Sequence, residues 1–215
     1  MDTGFACAKY TTGQLNAMIK LLRKQGGSDD APERFLRGEL TVSPPVRAWR
    51  EQDGIIRFSV TSDGTTGEGW ITRLESKGNK VSPYAKQVLR SPAFQPTNGV
   101  TTEIAVMKGS LFTDDDRITS KIRAKAKEYQ FQTPHAEVAC LIREMFTDEE
   151  IKEMGLTWIV TMHEPIEDSD RYPYLLGTDR RGGRPWLDAN DDEPGDGWNR
   201  DIGFAFAVPQ VSPYR

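Results

Sequence analysis

Residues 186–208, WLDANDDEPGDGWNRDIGFAFAV, decide how this chain is read. Up to Asp201 the stretch sets short polar side chains between Trp186 and Trp198. That mixture suits an adaptable recognition loop, because Asp, Asn and Gly bond locally and cost little to order. From Gly203 to Val208 large and small apolar residues alternate, as in a closing strand with one heavily packed face. A polar ribbon thus runs directly into core.

Upstream, the composition changes at Glu164. Residues 164–203 are dominated by Asp, Gly, Arg and Pro, with only Tyr174–Leu176 and Trp186-Leu187 offering strand pieces, so an irregular polar excursion is expected there. Before it, Trp158, Val160 and Met162 alternate with Ile159, Thr161 and His163, and Ile104 and Val106 alternate with Ala105 and Met107. Both runs read as strands covered on two sides. Between them, Thr113–Asp116 has the form of a capping box ahead of a helix that turns Ile118, Ile122 and Ala126 inward. A second helix is expected from Thr133-Pro134, with Val138, Leu141, Ile142 and Met145 on one stripe. Thr147–Glu150 forms another capping box, and Gly155 closes its helix.

Pro96–Gly99 is the expected seam, dividing residues 1–98, a helical and hairpin elaboration, from residues 99–215, the ligand-binding domain. Within the first part, Leu15, Met18, Ile19 and Leu22 predict an amphipathic helix over 12–25. Asp53-Gly54 predicts a tight hairpin turn, and residues 67–76 and 82–89 read as two short helices. The fold class is α+β.

The chain has 215 residues, enough to bury a core without staples. Its 28 basic and 32 acidic residues leave a net charge of -4, which argues against nucleic acid as partner. Cys7 and Cys140 form no metal or disulfide pattern. With no signal-like or membrane-spanning apolar run, no membrane insertion is expected and the cytoplasm is the default location.

His135-Ala136-Glu137 matches the opening of a zinc deaminase signature, but no cysteine follows Cys140 to complete the ligand set. A metal-dependent hydrolase built on His135, Glu137 and His163, with Glu164 and Asp168 nearby, is the enzymatic alternative. Gly64, Gly67 and Gly69 lack the Lys-Ser or Lys-Thr of a phosphate loop and read as a turn and helix cap. Asp188, Asn190 and Asp192 begin a calcium-loop pattern that fails at Glu193 and Asn199. No cofactor or metal is therefore expected, and a binding role is favoured over catalysis. An oligomerisation scaffold carried by residues 1–98 is a further alternative.

The element order from Thr101 to Val208, and the tail Trp198–Phe206 with its closing Gly-Phe strand, resemble the variable proteins of diversity-generating retroelements. The resemblance implies a C-type-lectin-like domain, with two helices packed on one side of a small, mostly antiparallel sheet whose first and last strands pair. It also implies a diversified, solvent-facing surface that binds a protein or other macromolecule. On this sequence that surface is Asp188, Asn190, Asp191, Asp192, Asp196, Asn199 and Asp201, residue types reachable by mutating the adenines of Asn codons. Trp186 and Trp198 are its supporting aromatics.

Overall fold

The computed structural model describes residues 11–26, 28–39, 47–181, 183–192, 195 and 197–209. The chain divides into two units, residues 1–47 and 48–215. In the first, α1 (Thr12–Gly26) and α2 (Ala31–Leu36) carry the predicted helix and one more. Of the expected apolar face of α1, Leu22 is buried, whereas Leu15, Met18 and Ile19 are exposed.

The second unit is built on one sheet. Asp53 and Gly54, both with positive φ, turn β1 (Arg50–Gln52) into β2 (Ile55–Asp63), as the Asp-Gly pair predicts. Next come α3 (Gly67–Ser76), the short β3 (Lys80–Val81), α4 (Pro83–Arg90) and β4 (Asn98–Lys108). The hydroxyls of Thr66 and Ser82 cap α3 and α4. Because β2 pairs along its length with β4, the chain has no seam at Pro96–Gly99, and the boundary lies at 47/48 instead of 98/99.

Beyond β4 lie α5 (Thr119–Glu128), α6 (Glu137–Met145), α7 (Asp148–Glu153) and β5 (Trp158–Thr161). The Thr147–Glu150 capping box forms as expected. The one at Thr113 does not, since Asp114–Asp116 make a 3-10 turn and α5 begins only after Ile118. The reason is Arg117, whose buried guanidinium donates to the carbonyls of Gly109, Phe112 and Trp198 and so ties the chain down before the helix can start. The helix expected from Thr133-Pro134 likewise starts at Glu137, and Met145 on its stripe is exposed.

The expected irregular excursion is mostly sheet. It contains β6 (Ile166–Glu167) and a long hairpin of β7 (Pro173–Arg181) and β8 (Arg184–Asp191), in which Arg181 pairs with Arg184. Then β9 (Ile202–Ala207) closes the fold, buried at every position. The strand order is β1-β2-β4-β9-β5-β7-β8-β3, with β6 on β7. Here β9 is antiparallel to β4 and parallel to β5, and β3 is parallel to β8. Every other pairing is antiparallel.

Alternation along each strand feeds two cores. Ile56, Phe58, Ile104, Val106, Ile159 and Leu176 meet residues of α3, α4, α6 and α7 on one face. Ala105, Met107, Val160, Leu175, Phe204 and Phe206 meet Ile122 and Ala126 of α5 on the other. Helices therefore cover both faces, not one side as the resemblance implies. The large/small alternation of β9 reflects this: Phe204 and Phe206 fill the roomier face under α5, while Ala205 leaves space for the facing core.

Candidate functional site

The acidic ribbon is not one surface. Asp188 is 4% exposed and Asp192 8%, so neither is the solvent-facing position expected of it. Asn190 is half-buried, whereas Asp191, Asn199 and Asp201 are exposed; Asp196 lies outside the described residues. The cause is the hairpin. Asp188 sits in the middle of β8 opposite Gly177, and its Oδ1 accepts the Ala189 N–H at 2.9 Å. The Asp192 N–H donates to the Pro173 carbonyl, and its Oδ2 accepts from Arg123 Nη2 at 3.1 Å. Burial pushes the Asp192 carboxyl up, with the Arg123 guanidinium opposing it.

The open residues also separate. Asp191 pairs with Tyr174, at the start of β7, while Trp158 pairs with both Asp179 and Ile202. From Tyr174 to Asp179 the strand advances about 16 Å at ~3.3 Å per residue, which puts Asp191 and Asp201 toward opposite ends of the sheet. Trp198 is anchored to the core: its indole N–H donates to Thr119 Oγ1 at 2.9 Å and its ring packs edge-on against Phe204. Trp186 is half-buried between β7 and β3, opposite Asp179 and Lys80.

The residues of the enzymatic alternative lie nearer one another. His163, at the end of β5, is 1% exposed. Its Nε2 accepts the Leu176 N–H at 2.9 Å, so the proton resides on Nδ1, which donates to the Glu164 carbonyl at 2.6 Å. Burial pulls its pKa down to about 4. With both nitrogens engaged, the ring has no lone pair to offer a metal or a substrate. Glu137, 3% exposed at the first position of α6, accepts from the Thr97 N–H at 2.9 Å and the Thr97 hydroxyl at 2.5 Å. Asp168 Oδ1 accepts the N–H groups of Asp170 and Tyr172 and shapes a turn. His135 and Glu164 are exposed. Cys140 is sealed in α6, where burial pushes its thiol well above the ordinary range. Among the described residues no group of three His, Cys, Asp or Glu side chains is arranged to hold a metal.

Several of these groups stand beside clefts at one edge of the sheet. The strands β2, β5, β8 and β9 all run the same way, and at their carboxyl ends three clefts adjoin. The largest, about 420 Å³, lies under the amino end of α6 between Val60, Val100 and Val208. The second, about 320 Å³, is lined by both His135 and His163; Thr133, Pro134 and His135 form the ridge dividing it from the first. The third, about 330 Å³, is lined by Arg123, Lys127, Glu164 and Asp192 over Phe131 and Phe206.

Sequence reasoning missed Ser62, Thr97 and Val100 in this rim. One signal was present: Ile56, Phe58, Val60 and Ser62 share one parity along β2, and the last of them is polar where the pattern calls for core. Ser62 Oγ accepts the Val100 N–H at 3.1 Å and lies 2.7 Å from Thr97 Oγ1, so the hydroxyls and Glu137 form one chain of hydrogen bonds.

No protein-family model, curated protein or solved structure matches this chain.

Proposed function

We propose that this chain is a ligand-binding protein without a catalytic centre of its own, and that ligand enters at the carboxyl ends of β2, β5, β8 and β9. One observation carries this reading. The buried imidazole there, His163, spends both ring nitrogens on the framework, while a cleft of about 320 Å³ stands open beside it and one of about 420 Å³ beyond the Thr133–His135 ridge. A catalytic base needs a free lone pair within reach of substrate. A binding site needs shape, apolar walls and a few oriented polar groups. Fragment screening of the whole chain by NMR tests the proposal: hits should perturb Val60–Ser62, Thr97–Thr102 and Val138–Leu141. Hits gathering elsewhere would replace it, as would turnover of a hit that is lost in Glu137→Gln.

A second proposal concerns how the surface varies. The relation to the variable proteins of diversity-generating retroelements, and to their C-type-lectin-like fold, is supported by the pairing of β4 with β9 and by the exposure of Asp191, Asn199 and Asp201. Helices on both sheet faces and the burial of Asp188 and Asp192 count against carrying over the whole ribbon. Diversification then belongs to the turns around 191 and 199–201. A nearby near-copy of the coding stretch for Trp186–Phe206, differing at adenines and accompanied by a reverse transcriptase gene, is the expected finding; a genome without one removes the proposal.

A further inference from the structure

The cleft under α6 has a definite polarity. Among the described residues Glu137 is its one acidic lining residue, and none of them contributes a Lys or Arg to its walls. One carboxylate oxygen, Oε1, accepts both bonds from Thr97. The other, Oε2, has no hydrogen-bond partner among the described residues, yet it is not one of the sealed unpartnered atoms, so its remaining surface opens on the cleft. A carboxylate withdrawn from water this far is costly unless its free oxygen finds a donor. The amino end of α6 supplies roughly +0.5 of an elementary charge beside it, which offsets only part of the full negative charge. The remainder of the lining includes the apolar side chains of Val60, Val100, Val138, Leu141 and Val208.

Resting on the reading of this rim as a ligand site, we propose that the cleft binds a small organic cation: an apolar body bearing a protonated amine that donates to Glu137 Oε2. The volume, about 420 Å³, is at the lower end of the range for small-molecule sites. A free amino acid fits less well, because no Lys or Arg among the described lining residues would receive its carboxylate.

Titration of the whole chain with hexylammonium, 1-hexanol and hexanoate, followed by amide NMR, tests the assignment. Hexylammonium should move the amides of Thr97, Val100, Val138 and Leu141 and bind at least tenfold more tightly than either of the others. Its affinity should fall at least tenfold in Glu137→Gln, whose amide oxygen can still accept from Thr97, and stay unchanged in Glu164→Gln on the neighbouring rim. Should Glu137→Gln fail to fold, Val100→Trp supplies the second variant, since Val100 is exposed at the mouth and a larger ring there should block entry. Equal binding of hexanol or hexanoate at these amides would overturn the cation assignment while leaving the ligand site. Binding of none of the three there, with fragments collecting elsewhere, would overturn both.

Discussion

Protonating His163 means giving up the hydrogen bond its Nε2 accepts from Leu176 and placing a charge in a site 1% exposed, near the Arg123 guanidinium. Its folded pKa of about 4 lies below the ordinary 6.5, so the unfolded chain takes up the proton first and stability falls as pH drops from about 6.5 to about 4. At 1.36 kcal/mol per pH unit the loss approaches about 3 kcal/mol. Urea denaturation at pH 7.5, 6, 5 and 4 should show this slope, and His163→Gln should flatten it even though it is less stable at pH 7.5. The acidic tail divides by the same reasoning. Asp191→Ala and Asn199→Ala should each shift stability by no more than about 0.5 kcal/mol, the usual surface range. Asp192→Ala should cost about 2 kcal/mol, because it removes the carboxylate partner of Arg123. Equal effects at Asp191 and Asp192 would contradict the burial difference between them.

Elements whose logic is local could be read from the residues alone. Asp53-Gly54 makes its turn because both backbone angles are positive, and the Thr147–Glu150 box needs nothing outside its own helix. The β7–β8 hairpin escaped notice because Asp, Arg and Gly dominate its composition, although Gly182-Gly183 between two arginines is a two-residue turn signal. Its Thr178, Asp179 and Asp188 are buried by tertiary packing, which residue types do not disclose. The rim was hidden for a related reason: Thr97 meets Ser62 from 35 residues away and Glu137 from 40. Gly67 offers a test at this scale. A Cβ there would lie 1.7 Å from the Leu89 carbonyl oxygen, so the backbones of α3 and α4 come this close only because residue 67 has no side chain. Gly67→Ala should cost about 3 kcal/mol or more in denaturant titrations, as severe overpacking does. Gly69→Ala, with only side-chain atoms of Thr65 and Thr66 at 3.1 and 3.3 Å, should stay near neutral, helped by alanine's helix propensity.

For the molecule as a whole, the position of the boundary decides what can be isolated. A chain of residues 48–215 should unfold in one cooperative transition, whereas residues 99–215 should not fold, having lost β2 and with it Ile56, Phe58 and Val60 from the core. Circular dichroism melts of the two fragments check this, and a sharp melt of the shorter one would restore the boundary at 98/99. The placement of β9 has a kinetic consequence. It fills the gap between β4 and β5, with Ile104 facing Ala207 across half the chain. During synthesis the strands on either side of β9 therefore emerge before it as two incomplete half-sheets, each with a bare inner edge, and only β9 can zip them together. The nascent polypeptide must wait in that exposed condition until β9 has been made, with two strand edges open to pairing with other chains.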